Sequence, residues 1–256
     1  MASESATEAR DALAGKSVLV TGAAKRVGAE IARALHAAGA DLVLHYRSSA
    51  PEADALAAEL EGRRAHSVTT VAGDLLDTAR LPEIVESATR AFGRLDILVN
   101  NASTFYATPL GEIDEGQWDD LIGSNLKAPL FLAQAAAPPL TAARGLILNI
   151  VDIHGLRPLR RHPIYSIAKA GLIMLTRSLA RELGPEVRVN GIAPGPVMWP
   201  DAGADEALKR KIVERTLLHR TGSPQDIAAA ALFFAANAPY VTGQILAVDG
   251  GRSVGW

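Results

Sequence analysis

Residues 17–28 read Ser17-Val18-Leu19-Val20-Thr21-Gly22-Ala23-Ala24-Lys25-Arg26-Val27-Gly28. The stretch Ser17–Thr21 is an apolar β-type run. Glycines and small residues follow it, and Val27, Ile31 and Leu35 then repeat at i, i+4 and i+8, one apolar stripe of a helix. Glycine lets the chain turn tightly and brings backbone N–H groups close to a pyrophosphate. The helix N-terminus adds its partial positive charge. A glycine pair alone also fits an ordinary strand-to-helix turn. The strand before it and the amphipathic helix after it favour nucleotide binding.

Outward from this turn, β-type runs alternate with longer helical patterns. Further strands are expected at Leu42–Tyr46, Ser67–Ala72, Ile97–Val99, Leu146–Val151, Arg188–Ile192 and Ile245–Val248. Several are near-continuous apolar runs, as strands covered on both faces should be. Helices are expected at Leu81–Phe92, Gln117–Leu140, Tyr165–Leu183 and Pro224–Asn237. Alternating β and α elements give a parallel sheet with right-handed crossovers. The glycine turn straight after the first strand selects the doubly wound, Rossmann-type α/β form over a barrel. No linker or repeat divides the chain. We expect one domain over residues 15–256, about seven parallel strands with helices on both faces, preceded by a frayed tail over residues 1–14. Gly195–Ala207, rich in Gly, Pro and Asp, is the longest expected irregular segment and suits a substrate loop near residues 195–215.

Composition removes several classes of function. Of 256 residues, 48% are hydrophobic and 21% charged, which excludes a disordered chain. A net charge of −2 gives no electrostatic footprint for nucleic acid or an anionic membrane. No apolar run approaches the ~20 residues that span a bilayer, and residues 1–14 lack the basic and apolar regions of a secretory signal. Cysteine is absent, so there is no disulfide, zinc-thiolate site or thiol nucleophile, and a cytoplasmic location is expected. The six histidines show no metal-binding spacing, so no metal is expected.

The end of the second strand selects the nucleotide. An NAD site places an acid there for the ribose 2′-hydroxyl. Here the residues are His45-Tyr46-Arg47-Ser48-Ser49, with no acid, and Arg26 stands in the glycine turn. Two guanidiniums and hydroxyls suit a 2′-phosphate, which argues for NADPH. The plain alternative is a solvated basic turn.

Asn100-Asn101-Ala102 follows the fourth strand, Asn125 lies in the next helix, Tyr165-Ser166-Ile167-Ala168-Lys169 follows the fifth strand and Pro194-Gly195 the sixth. In this order the set resembles the short-chain dehydrogenase/reductase superfamily, over nearly all of residues 15–251. Several departures narrow the likeness. Arg26 replaces the middle glycine of the turn. Asp152, in Asn149-Ile150-Val151-Asp152, stands where the superfamily places a catalytic serine. Ser103, not glycine, follows Asn-Asn-Ala and leads into Thr104-Phe105-Tyr106. With His45-Tyr46-Arg47-Ser48, these resemble the pteridine reductase branch. That resemblance implies NADPH-dependent reduction of pterins and sometimes folates, a homotetramer, an Asp-Tyr-Lys catalytic set, and an aromatic ring, here Phe105, against the pterin. It further implies cofactor contacts from Gly22, Val27, Asp74, Leu75, Asn101, Ala102, Pro194 and Gly195.

Tyr165 and Lys169 share a helix face at i and i+4. The ammonium is expected to lower the phenol pKa from about 10 and make it a better acid. The resemblance adds a Lys169 bond to the nicotinamide ribose and a water-mediated hold on Lys169 from Asn125. Asp152 opposes Lys169 and keeps the phenol protonated. Reducing a C=N bond needs hydride on carbon and a proton on nitrogen. Tyr165 is therefore the expected donor, Asp152 its supplier or orienter, and Lys169 the electrostatic support. An impaired catalyst is the alternative meaning of Asp152. Phe105 fits either the core or a stack on a planar heterocycle. Ser103 suits a pterin amino group or a cofactor phosphate. Asp74 suits the adenine amino group or a helix N-cap. Trp199, in Met198-Trp199-Pro200, covers the substrate or anchors its loop. Arg157, Arg160 and Arg161 read first as a solvated loop, with attraction of an acidic pterin tail as the other reading. Two other functions compete: a carbonyl reductase such as a 3-oxoacyl-carrier-protein reductase, and a non-catalytic NADPH-binding sensor.

Overall fold

The computed structural model describes residues 11–197 and 206–255. Seven parallel strands form one sheet in the order β3-β2-β1-β4-β5-β6-β7. They are β1 (Ser17–Val20), β2 (Asp41–Tyr46), β3 (Val68–Ala72), β4 (Ile97–Asn100), β5 (Leu146–Ile150), β6 (Arg188–Pro194) and β7 (Ile245–Val248). The order reverses between β1 and β4, where Val18–Val20 lie beside Ile97–Val99. That switch point opens a crevice beyond the carboxyl ends of the strands, where doubly wound folds bind ligands.

Side-chain alternation explains the two helical layers. Val18, Val20, Leu42, Leu44, Ile97 and Val99 enter one core with Ile31, Leu35, Leu56, Leu60 and Phe234. Leu19, Val43, Leu98 and Ile147 enter the other with Leu81, Ile84, Leu132 and Leu140. Helices α1 (Arg26–Ala37), α2 (Ala50–Glu61) and α8 (Pro224–Leu232) supply the first layer. Helices α3 (Leu81–Phe92) and α5 (Ala128–Ala143), with α6 (Pro163–Leu183), supply the second. A buried polar ladder ties sheet to helix: Asn100 Nδ2 donates to Asn149 Oδ1 at 2.8 Å, and Asn149 Nδ2 donates to Thr176 Oγ1 on α6 at 2.9 Å.

Several expectations need correction. The helix expected over Gln117–Leu140 is α4 (Glu115–Ile122), a wide π-type turn at Gly123–Lys127, and α5. It starts two residues early because Asp114 caps it, accepting from the Gln117 N–H at 2.8 Å. Pro163 starts α6 two residues before the motif at Tyr165, as proline at the first helical position favours. The stretch expected as helix to Asn237 ends as α8 at Leu232, followed by a second π-type turn, Phe233–Asn237. Helix α2 was not anticipated, although Ala53, Leu56 and Leu60 carry its buried stripe. Within the expected substrate loop, Glu206–Glu214 is helix α7. Leu13, expected in the frayed tail, is packed: it is 3% exposed and its N–H donates to Ala38 O at 2.8 Å. Most of Gly195–Ala207, including Trp199, lies outside the described residues.

Candidate active site

The glycine turn is a cradle only a hydrogen atom can line. A Cβ on Gly28 would lie 2.3 Å from Gly22 O and 2.5 Å from Asn101 Nδ2. Gly22 holds φ +60, and a Cβ there would approach Ala102 Cα to 3.0 Å. Asn101 clamps the turn to the end of β4 by donating from Nδ2 to Thr21 O at 2.8 Å and Gly22 O at 3.0 Å. Thr21 Oγ1 accepts from the N–H groups of Asn101 and Ala102. Bare backbone at a helix start, held open at a switch point, fits a dinucleotide pyrophosphate.

One cleft of about 960 Å³ runs from this turn to the end of β5. Gly22, Arg26, Val27, Tyr46, Arg47 and Ser48 line its nucleotide end. Asp74 and Leu75 stand beside them, and Pro194 and Gly195 close the cleft from β6. Asn101, Ala102 and Ser103 form the floor between the two ends. Asp74 Oδ1 accepts from the Leu76 N–H at 3.0 Å, so the carboxylate caps a turn rather than a helix. Sequence reasoning missed Lys25, which also lines the cleft and pairs with Glu52 at 2.5 Å.

His45 lines the cleft from beneath the turn, 2% exposed. Its Nδ1 accepts from the Gly22 N–H at 3.3 Å, and its Nε2–H donates to Gly73 O at 3.1 Å. Burial lowers its pKa to about 4, so the ring is neutral near pH 7. It props the nucleotide loop.

At the other end, Tyr165 OH donates to Asp152 Oδ2 at 2.8 Å. Asp152 Oδ1 accepts from the His154 N–H at 2.7 Å, which fixes the carboxylate at the start of a short turn. Lys169, one helical turn beyond Tyr165, places Nζ 5.6 Å from the Tyr165 ring centre and donates to Ile150 O at 3.0 Å. Burial lowers the Lys169 pKa to about 8, with Asp152 opposing. Burial also pushes the Tyr165 phenol well above 10, and the Asp152 charge and hydrogen bond add to it; the Ser103 hydroxyl opposes. The expected lowering by Lys169 is therefore corrected: desolvation and the adjacent carboxylate win.

Asn125 lies on the π-type turn and is buried. Its Oδ1 accepts from Ser103 Oγ at 2.7 Å, and its Nδ2 donates to Thr104 O and Leu121 O, both at 3.0 Å. The bonds to Ser103 and Thr104 hold the segment after β4, the bond to Leu121 O ties Asn125 to α4, and Lys169 donates to Ile150 O. Phe105 is no core residue: it is 50% exposed at the cleft mouth, edge-on to Tyr165 with ring centres 4.8 Å apart. Its face stacks on His162, a cleft residue sequence reasoning missed although it lies three positions before Tyr165. Arg157, Arg160 and Arg161 are exposed and do not line the cleft. Among the described residues, no group of His, Asp and Glu stands together as a metal site, and no helix is long and apolar enough to cross a membrane.

Comparison with known proteins agrees with this geometry. The family model described as Enoyl-(Acyl carrier protein) reductase matches residues 22–253. Pteridine reductase 1 of Leishmania tarentolae is 38% identical, over 92% of this chain and 96% of that protein. The 3-oxoacyl-[acyl-carrier-protein] reductase FabG of Staphylococcus aureus is 35% identical, over 92% and 97%. Among solved structures, a blue fluorescent protein from a metagenomic library, in complex with NADPH, superposes with TM-score 0.88 at 36% identity, covering 94% of this chain and 98% of that one. A putative short-chain alcohol dehydrogenase from Sinorhizobium meliloti gives TM-score 0.89 at 32% identity, covering 94% and 97%. The chain is an oxidoreductase built for a nicotinamide cofactor, and it belongs to the short-chain dehydrogenase/reductase family.

Proposed function

We propose that this protein is an NADPH-dependent pteridine reductase that reduces a C=N bond of oxidised or dihydropterins, dihydrofolate included. The observation that carries the reading is the 2.8 Å bond between Tyr165 OH and Asp152 Oδ2 in one cleft with the exposed Phe105 ring. Arg26 and Arg47, with no acid at the end of β2, support NADPH over NADH. The Leishmania relative supports the pterin, and the Staphylococcus relative keeps a carbonyl substrate as the competing reading.

When bound, the reduced nicotinamide supplies hydride to the substrate carbon. The protein's task is the proton on nitrogen. Tyr165 is buried beside Asp152, and both effects disfavour a phenolate. Tyr165 therefore gives up its proton only if another replaces it. As Tyr165 protonates the substrate nitrogen, a proton from solvent replaces the one lost from the phenol oxygen, relayed by way of Asp152. The 2.8 Å contact carries that proton. Asp152 is half-buried and takes a new proton from solvent. Lys169 offsets the negative charge that develops between Tyr165 and Asp152. Phe105 offers a flat apolar face to a planar heterocycle, and stacking of this kind is worth about 0.5–1.5 kcal/mol beyond burial.

The working particle in this proposal is a homotetramer. Trp118, Leu130, Ile167 and Met174 are exposed apolar side chains on α4, α5 and α6, and Phe233, Tyr240 and Leu246 are exposed near β7. A second copy of the chain suits such surfaces. Oxidation of NADPH by a dihydropterin, set against a 3-oxoacyl thioester, tests the catalytic reading.

A further inference from the structure

Phe105 is on the segment after β4, and His162 is on the loop between β5 and α6. Their rings stack at 4.8 Å between centres and 10° between planes. The two segments are joined a second time, by the Thr108 N–H donating to Arg161 O at 2.7 Å. Arg161 reaches that position with φ +66, a left-handed conformation that side-chain-bearing residues rarely adopt. His162 is fixed in its turn, since a carbonyl only accepts and His162 Nδ1 lies 2.9 Å from Arg160 O, so Nδ1–H is the donor. A Phe side chain half exposed at a cleft mouth has rotamers to lose when a ligand stacks on it. Here one face of the ring is already occupied, and its orientation toward Tyr165 is set edge-on.

We propose that His162 is a specificity-determining positioning residue. Its ring buttresses Phe105 so that the stacking face for a planar heterocycle is formed before substrate arrives. The inference rests on the pterin reading and adds a residue to it. The buttress acts through Phe105, so it governs how well a flat substrate binds and leaves the proton relay of Asp152 and Tyr165 in place. An aromatic hydrocarbon ring does the same work as imidazole.

The test is steady-state NADPH oxidation with 7,8-dihydrobiopterin by the wild type, His162→Ala and His162→Phe, with the Kd for NADPH measured alongside. We expect His162→Ala to raise the pterin KM by about five- to tenfold, within the roughly two- to thirteenfold that one aromatic pair is worth, while kcat and the NADPH Kd stay within about twofold. We expect His162→Phe to restore KM to within about twofold of wild type. An unchanged KM in His162→Ala overturns the inference while the pterin reading stands. Failure of His162→Phe to rescue overturns it as well, because the ring is then not what matters. No pterin turnover by the wild type overturns the functional reading and this inference together.

Discussion

Arg26 holds φ +55, where an L-residue costs about 1–2 kcal/mol and glycine does not. Residues held in such strain cluster at ligand sites. Its guanidinium side chain in the nucleotide end of the cleft supplies the compensating use. Arg26→Gly therefore relieves strain and removes a phosphate ligand. We expect its thermal midpoint to equal or exceed that of the wild type. The NADPH KM should rise about tenfold, the value of one charge-assisted contact of about 1.4 kcal/mol, with the NADH KM little changed. An unaltered ratio of NADPH to NADH preference would remove Arg26 from cofactor selection. Single departures such as Arg26, Asp152 and Ser103 were legible in the chain because each breaks a pattern. What they touch was not. The Tyr165 pKa moved against expectation because spacing reveals Lys169 at i+4 but not the depth of burial or the approach of Asp152 Oδ2.

Strand β2 does more than carry residues toward the 2′-phosphate. His45, its penultimate residue, holds Gly22 on one side and Gly73 on the other, linking the ends of β1, β2 and β3. Its pKa falls from 6.5 to about 4 in the folded protein because burial disfavours the cation. The unfolded chain thus binds the proton first. The stabilising effect is intact above pH 6.5 and is lost as pH falls toward 4, with a total of about 3 kcal/mol. His45→Asn keeps an acceptor and a donor but cannot titrate. Chemical denaturation from pH 7 to 4 is expected to show a shallower acid loss in the variant, by about one proton. Parallel stability curves would contradict the role. Element existence was largely legible, because apolar runs and periods survive in one dimension. The π-type turn at Gly123–Lys127 was not, since Gly-Ser-Asn-Leu-Lys carries no residue that marks a π-type turn apart from an α-helical one. It shows only in three dimensions, where Ser124 and Asn125 reach the Thr104 segment.

Over the whole molecule, alternation of strand and helix dictates the parallel sheet, and the sheet places every contributor to the cleft at one end. Asn101-Ala102, Asp152 and Pro194-Gly195 all lie at or just beyond strand ends, so motifs scattered through the sequence converge without any single one being decisive. The Phe105–His162 stack escaped sequence reading because the two residues meet only when the loops after β4 and β5 lie side by side. The tetramer proposal belongs to this scale. Light scattering of the purified protein is expected to give the mass of four chains. A stable monomer at micromolar concentration would show that Trp118, Ile167 and Met174 face solvent in the working enzyme.

The central claim is that Asp152 and Tyr165 deliver a proton to the nitrogen of a flat heterocycle. The most direct measurement is NADPH oxidation with 7,8-dihydrobiopterin and with an acetoacetyl thioester, by the wild type and by Asp152→Ser. The account predicts wild-type turnover on the pterin and little on the thioester. It also predicts that Asp152→Ser loses at least about 100-fold of the pterin rate, as removal of a positioned proton-transfer group does, with NADPH binding unchanged. Wild-type turnover confined to the thioester, or undiminished pterin reduction by Asp152→Ser, would contradict it.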